Sequence, residues 1–337
     1  SQLLRDGSSV IACGGAGFYL YDMYGSWYHD EKAEKAIRRL FALNRFATEH
    51  AGGYPLPRIG IFADEKARLL RESTYDNVSL IWRTSGVMPA LHYLTDIENP
   101  KLPDYDLYVV WQPVTISAAQ LEAFRRRASR TGKVLAIIGE AGVASLDFEG
   151  TADVMKRLGL QVVHHANAPQ GDVVVPDSAA DSPLLAGVRG VIESGGMYIV
   201  NERLLRRGQY GYATVCDPSA TVLGRWQENG KPAFASKPLG AGTLVFMARD
   251  AGLTPQLLQN LAKAAGVRPY AEVGNVVVVG NGVASVHRLA GEAVVDFGRP
   301  VRLVHPETGS RSKPTRFWRP SLNAGKCMAV GYVLENE

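Results

Sequence analysis

Apolar residues occur along this chain in two patterns, one-sided stripes and short continuous blocks. Between residues 30 and 50 they recur every three or four positions, which places them on one face of a helix. The members of this stripe are Ala33, Ile37, Leu40, Phe41, Leu43 and Phe46. Before it, SQLLRDGSSVIACGGAG (1–17) reads as the end of a helix, and GFYLYDMY (17–24) as a strand. The pattern therefore predicts a helix, a strand and a second helix in the first fifty residues.

From residue 59 onward, short apolar blocks alternate with helical stripes. Blocks such as RIGIFAD (58–64), LYVVWQP (107–113) and KVLAIIG (133–139) are apolar at nearly every position. This is typical of strands in a parallel sheet that helices cover on both faces. The intervening helix has Ser117 as a favourable N-cap, and we expect it to end at Gly132. The alternation predicts an α/β domain with a flavodoxin-like parallel sheet.

Strand-like blocks dominate after about residue 181, and the last seventy residues contain no convincing helix. Asn-Gly and Gly-rich pairs separate these blocks, as expected for tight turns between antiparallel strands. We therefore predict a small antiparallel β-sandwich at the end of the chain. With AGGYPLPR (51–58) as a linker, the predicted divisions are 1–53, 54–268 and 269–337.

Composition and charge narrow the classes of function. The 337 residues carry a net charge of +4, and the basic clusters at 125–127 and 203–207 are short, so we expect no nucleic-acid surface. No apolar run is long enough for a membrane span, so no membrane partner is expected. The three cysteines are far apart and show no metal-ligand spacing, and we expect no metal and no cofactor. They fit a reducing cytoplasm or buried apolar positions, so the compartment stays open.

The stretch GFYLYDMYGSWYHDEKAEKAIRRL (17–40) carries the candidate site. A strand that ends at an acid and runs through an aromatic loop into a helix is typical of one unit of a (β/α) barrel, where active sites lie at the carboxyl ends of the strands. The candidates for a sugar-binding wall are Asp22, Tyr24, Trp27 and Tyr28. The alternative is that the aromatic residues only pack the loop onto the next helix, with Asp30 as its N-cap.

Three passages together resemble β-galactosidases of glycoside hydrolase family 42. They are residues 20–45, residues 91–142 and the stretch GNVVVVGNGVASVHRLAG (274–291). The resemblance implies a partial TIM-barrel βα unit, then a glutamine-amidotransferase-like trimerisation domain, then a β-sandwich. It thus implies the C-terminal portion of such an enzyme, with a carbohydrate substrate for the parent protein and a homo-oligomer, a trimer, as the assembly.

The resemblance assigns no catalytic residue to this chain. A retaining glycosidase needs two carboxyl groups about 5 Å apart, and in the family these come from barrel strands upstream of this sequence. A whole barrel takes about 250 residues, so we expect the 1–53 unit to need a missing barrel segment as its partner. The chain by itself is expected to be inactive, and to serve oligomerisation and the rim of the active site.

The parallel sheet offers one further candidate, Glu140, in the turn IIGEAG (137–142). Class I amidotransferases carry a nucleophilic Cys at such a turn, and none is present here, so the thiolate chemistry is excluded. Glu140 could bind a ligand or could cap neighbouring amides. The adjacent pair His164 and His165 points to opposite faces of a strand and does not favour a shared metal ion.

Two rival functions stay open from the sequence. The first is a carbohydrate-binding module in which Arg316, Phe317, Trp318 and Arg319 of the terminal domain grip a polysaccharide. The second is an independent hydrolase, an amidase or esterase, on the parallel sheet. No G-x-S-x-G motif supports the second rival.

Overall fold

The computed structural model describes most of the chain, and its residues form two compact units. The described residues are 2–15, 30–50, 53–67, 81–166, 171–179, 181–192, 211–249 and 253–335. The first unit consists of Ser1–Pro57, Trp82–Met88 and Arg268–Glu337, and the second of Arg58–Ile81 and Pro89–Val267. The first unit therefore joins residues from both ends of the chain, which the order of the sequence alone had kept apart.

Five α-helices lie entirely within the described residues. They are α1 (Gln2–Ala12), α2 (Glu31–Glu49), α3 (Ala118–Ala128), α4 (Thr151–Arg157) and α5 (Pro255–Ala264). Ser117 caps α3 as predicted, since its Oγ accepts from the amide of Gln120 at 3.1 Å. The predicted end at Gly132 is wrong: α3 is capped at Ser129, and Gly132, at φ +74°, belongs to the following turn.

The second unit contains the first eleven strands. They are β1 (Ile59–Ala63), β2 (Pro89–Tyr93), β3 (Leu107–Trp111), β4 (Val134–Ile138), β5 (Val162–Ala166), β6 (Val173–Val175), β7 (Gly190–Ile192), β8 (Gly211–Val215), β9 (Thr221–Trp226), β10 (Pro232–Leu239) and β11 (Gly242–Met247). Nine of these strands form one sheet in the order β2-β1-β3-β4-β11-β10-β9-β6-β7. In this order, neighbouring strands from β2 to β11 pair parallel, and neighbouring strands from β11 to β7 pair antiparallel.

The mixed α/β class follows the prediction, but the sheet is not parallel throughout. Every residue of β1, β3 and β4 is buried, as their continuous apolar blocks require. Strand β5, which carries His164 and His165, does not continue this pattern. It pairs antiparallel with β8 in a separate two-stranded sheet. Val163 in this strand is 45% exposed, so β5 lacks the two-sided cover of the central strands.

The end of the chain forms a five-stranded antiparallel sheet in the first unit. Its strands are β12 (Val276–Gly280), β13 (Val283–His287), β14 (Val295–Val304), β15 (Thr315–Trp318) and β16 (Cys327–Leu334), in the order β12-β13-β16-β14-β15. Asn281 and Gly282, both at positive φ, make the two-residue turn between β12 and β13. An Asn-Gly pair is the usual sequence for that turn. The short strand β15 was not predicted.

Helices α1 and α2 contact one face of this terminal sheet. The hydroxyl of Ser8 on α1 donates to Oγ of Ser285 on β13, at 2.8 Å between the oxygens. On α2, the Arg39 guanidinium donates to the carbonyl of Ala329 at 2.9 Å. Arg39 and Ser8 thus connect the two N-terminal helices to strands about 280 residues away in sequence. The apolar stripe of α2 is buried at Leu40 and Leu43, whereas Phe41 is 60% exposed.

The opposite face of the sheet forms its own apolar core. Its buried members are Val277, Val279, Ala284, Val286, Ala293, Val295, Val301, Trp318, Val330 and Tyr332. As a result, all five residues of β13 are buried. A strand that is buried on both faces needs cover on both, and here the N-terminal helices supply part of that cover.

The close approach of α1 to β12 gives a test of this packing. A methyl group at Gly280 would lie 2.5 Å from the carbonyl oxygen of Ala12, which is backbone and cannot rotate away. We expect Gly280→Ala to lower the free energy of unfolding by about 1–3 kcal/mol, the usual cost of overpacking. Thermal and chemical denaturation measure it. Gly53→Ala is the control, because its new methyl would make an ordinary contact at 3.6 Å. Equal stability of the two variants would contradict the packing.

Candidate functional site

The carboxyl ends of the parallel strands bring four buried polar residues to one edge of the nine-stranded sheet. Ala63, Trp111, Ile138 and Met247 lie side by side in the register of β1, β3, β4 and β11. The polar residues that follow these strand ends are Asp64, Gln112, Glu140 and Arg249, with exposed fractions of 6%, 5%, 2% and 4%. In open parallel sheets, ligands bind at this edge. The edge is therefore the candidate site in the described part of the second unit.

Asp64 connects the loop after β1 to the loop after β3. Its carboxylate accepts from the amide of Thr115 at 2.6 Å and from the Thr115 hydroxyl at 2.8 Å. It also accepts from the amide of Lys66 at 3.0 Å. Burial raises the pKa of Asp64 above its usual value, while these hydrogen bonds act in the opposite direction. With both oxygens engaged inside the protein, Asp64 holds the two loops together.

Glu140 lies in the glycine-flanked turn that the sequence predicted. Gly139 and Gly142 adopt φ values of +88° and +69°, in the left-handed region that glycine favours. The Gly139 amide donates to the carbonyl of Met247 at 2.8 Å, and the Ala141 amide donates to Oγ1 of Thr151 at 3.0 Å. The turn is thus fixed by β11 and by the start of α4. Ligand binding by Glu140 stays a prediction.

Gln112 and Arg249 belong to the same edge, and neither was predicted from the sequence. Gln112 has φ +44°, an uncommon value for a residue other than glycine, and its amide donates to the carbonyl of Ile138 at 2.8 Å. Arg249 comes two residues after β11. Gln112 follows its apolar strand directly, in WQP (111–113), and Arg249 follows β11 after one alanine, in MARD (247–250). A polar residue just after a buried block was the available signal.

A pair of carboxylates lies close together before β3, and its surroundings do not suit a glycosidase. One ammonium group, Lys133 Nζ, bridges Asp104 at 3.0 Å and Asp106 at 2.9 Å. Burial alone would raise the pKa of both acids, but hydrogen bonds from Lys133 and its neighbours lower both below their usual values. A glycosidase acid needs a raised pKa so that it holds its proton. This pair is a structural ion cluster.

The predicted sugar-binding wall falls outside the described residues. Asp22, Tyr24, Trp27 and Tyr28 lie in the range 16–29, so their role stays a prediction. The neighbouring Asp30 is described. Its Oδ1 accepts from the amides of Lys32 at 2.7 Å and Ala33 at 2.9 Å, which makes it the N-cap of α2. The structure therefore confirms one part of the alternative interpretation, in which Asp30 is the N-cap of the helix.

Among the described residues, no group of three or more His, Cys, Asp or Glu side chains is able to bind one metal ion. His165 Nε2 is hydrogen bonded to Oγ1 of Thr214 at 2.9 Å, and its ring stacks on Tyr212 at 4.6 Å between centroids. None of the described helices combines the length and the apolar character that a membrane crossing requires.

The residues of the carbohydrate-module alternative separate on the terminal sheet. Trp318 is 7% exposed and packs in the apolar core, so its ring is not available to a sugar. Phe317, its neighbour, points the other way and is 42% exposed. Only part of the predicted cluster is therefore on the surface.

The fold is similar to that of several solved β-galactosidases. The enzyme from Bacillus circulans sp. alkalophilus matches with a TM-score of 0.61 at 15% identity, over 91% of this chain and 46% of its own. A family 42 enzyme from G. stearothermophilus matches with a TM-score of 0.55 at 11% identity, over 94% of this chain and 47% of its own. The enzyme of the psychrophilic Marinomonas ef1 matches with a TM-score of 0.53 at 14% identity, over 90% of this chain and 42% of its own.

The chain thus spans less than half the length of these structures, and at such identities the likeness concerns the fold. The resemblance to family 42 β-galactosidases drawn from the sequence is confirmed at that level. Comparisons with models of protein families and with the sequences of curated proteins found no match.

The ion cluster around Lys133 gives a pH-dependent prediction. Lys133→Met removes the shared cation, and we expect it to lower the free energy of unfolding at pH 7 by about 1–2 kcal/mol, reduced from the buried value by solvent screening. Because the pKa values of Asp104 and Asp106 are lowered in the folded state, their contribution is present at neutral pH and lost as they take up protons.

The difference between wild type and Lys133→Met should therefore shrink below about pH 4, the usual pKa of Asp. Urea denaturation at pH 7 and pH 3 measures both values. Arg125→Met, which removes the exposed pair with Glu122, should leave stability unchanged and serves as the control. A loss of equal size at both pH values would show that Lys133 stabilises by packing alone.

Proposed function

We propose that this chain is a non-catalytic region of a β-galactosidase-like glycoside hydrolase, which serves oligomerisation and supports the rim of the active site. The likeness in fold to β-galactosidases over about nine tenths of the chain carries this proposal. In this proposal the range 1–53 is a partial barrel unit and 269–337 a sandwich-type domain. The carbohydrate substrate belongs to the whole enzyme, and Asp22 and Trp27 would form part of its wall.

The strand order of the second unit supports a flavodoxin-like, amidotransferase-like trimerisation domain. Strands β2, β1, β3 and β4 are adjacent and parallel in that order, so the connection from β2 to β3 passes over β1. This is the arrangement of a doubly wound sheet. The antiparallel strands β10, β9, β6 and β7 extend it on the far side.

The chemistry of the described residues supports a non-catalytic role. The turn at which an amidotransferase would place its thiol holds Glu140 and Ala141. Asp64 is hydrogen bonded within the protein, and Asp104 and Asp106 are neutralised by cations. Since a retaining glycosidase needs one protonated and one ionised carboxyl group on either side of a bond, these acids do not fit that role.

The edge strand β2 supplies an apolar surface that suits an interface between copies. Among the described residues, it is the last strand on its side of the nine-stranded sheet. Leu91 and Tyr93, two positions apart, point to the same side and are 45% and 55% exposed. Large apolar side chains that stay exposed on a sheet edge are typical of surfaces that another chain covers. We assign β2 to the oligomer interface.

Sedimentation velocity at micromolar concentration tests this proposal. We expect a homo-oligomer, a trimer, and no hydrolysis of p-nitrophenyl β-D-galactoside by the chain alone. The double variant Leu91→Ser/Tyr93→Ser should move the protein to a monomer while keeping its helical and strand signal by circular dichroism. Leu146→Ser removes an even more exposed apolar side chain, 96% exposed, and should leave the assembly unchanged.

A wild-type protein that is strictly monomeric, or that cleaves the galactoside, would refute the proposal. An oligomer that survives Leu91→Ser/Tyr93→Ser would refute the assignment of β2 to the interface.

A further inference from the structure

The outer edge of the terminal sheet carries an unusual density of exposed cations. Between residues 311 and 319, the segment RSKPTRFWR has four basic residues and no acid. All four, Arg311, Lys313, Arg316 and Arg319, are exposed. This segment includes β15, the last strand on its side of the sheet among the described residues, and Trp318 is its buried member.

Three guanidinium groups of this region surround a single carboxylate and a single ring. Asp296 accepts from Arg316, with 2.9 Å between Oδ1 and Nε and 3.2 Å between Oδ2 and the second nitrogen. Arg268 forms an ion pair with the same carboxylate. The guanidinium carbons of Arg316 and Arg319 lie 5.0 and 5.6 Å from the ring centroid of Phe317.

The arrangement positions three cations around one carboxylate and one ring, so it neutralises them only in part. One carboxylate serves Arg268 and Arg316, and the third guanidinium, Arg319, contacts the uncharged ring of Phe317. Cation–π contacts and a bidentate ion pair restrict long flexible side chains, so less conformational entropy is lost when an anion binds. The cluster is therefore pre-organised and keeps an excess positive charge.

We propose that this cluster, with Lys313 and Arg311 beside it, binds an acidic polysaccharide that carries carboxylate or sulfate groups. The planar guanidinium group of Arg319 can donate to two oxygens of one such group, and the N–H groups of Arg316 that Asp296 does not engage can donate to another. The four cations between 311 and 319 in the sequence suit a polymer with repeated anionic groups. This inference concerns the surface of the first unit and is independent of the proposed oligomeric role.

The structure favours a polysaccharide over an acidic peptide that adds to the sheet edge. The amide of Phe317 donates to Oγ1 of Thr315 at 3.2 Å, and the Thr315 hydroxyl donates to the carbonyl of Phe317 at 2.7 Å. Both main-chain groups are thus engaged inside β15. Pro314 and Pro320 flank the strand and have no amide hydrogen to offer. Addition of a strand depends on such main-chain groups, so recognition here depends on side chains.

A single-stranded nucleic acid is also less well matched. Such ligands stack their bases on open aromatic faces beside a positive groove. Phe317 is the exposed aromatic ring of this segment, and two guanidinium groups already contact it. The inward ring of Trp318 is buried.

Binding to two defined polymers tests the proposal. Heparin supplies sulfate groups and polygalacturonate supplies carboxylates, and affinity is measured by isothermal titration calorimetry with the full chain. We expect binding that weakens as the salt concentration rises. Arg316→Gln/Arg319→Gln should weaken it by at least about tenfold, from the loss of two charge-assisted contacts. Phe317→Ala keeps every charge and should weaken it less, by several-fold, because the guanidinium groups lose their support.

The control removes the same charge elsewhere. Arg125→Gln/Arg126→Gln changes two exposed arginines on α3 and should bind as wild type does. Thermal unfolding of each variant confirms that it is folded. Equal weakening in the two double variants would overturn the proposal, because it would show a response to net charge alone. No heat with either polymer, or tighter binding of single-stranded DNA or poly-glutamate at the same salt concentration, would overturn it as well.

Discussion

The first unit depends on one constraint, the need to cover both faces of the terminal sheet. Strand β13 is buried along its whole length, and a sheet of this kind is not stable while one apolar face meets water. Helices α1 and α2 pack on one face of the terminal sheet, and the Ser8–Ser285 hydrogen bond lies within this contact. Two ends of the chain that are separated by more than 200 residues are therefore parts of one core.

This constraint changes how the N-terminal segment is understood. A single strand and helix taken from a barrel would carry an apolar face with nothing against it, and the sequence led us to expect that a missing barrel segment covers it. In α2, Leu40 and Leu43 are buried, and the helix contacts α1 and β16 of the same chain. The barrel segment as a partner stays a prediction. Residues 16–29, which hold the predicted sugar-binding wall, lie outside the described residues. This finding therefore does not bear on them.

The elements that could be predicted are those whose signals are local. The buried strands β1, β3 and β4, the caps at Asp30 and Ser117 and the turn at Asn281 each follow from a few adjacent residues. What was missed depends on contacts between distant residues. The pairing of β5 with β8, the docking of α1 on β13, and the burial of Trp318 are set by partners that no local pattern specifies. Of the four polar residues at the candidate edge, only Glu140 was predicted from the sequence as a site residue. Gln112 and Arg249 join it only through the strand register.

Native-state hydrogen exchange tests the common core most directly. If α1 and α2 belong to the core of the terminal sheet, the slowest amides of α1, α2, β13 and β16 should share one free energy of opening, because they unfold together. Amides of α1 and α2 that exchange at the rate of an unstructured peptide, while β13 and β16 stay protected, would contradict the account.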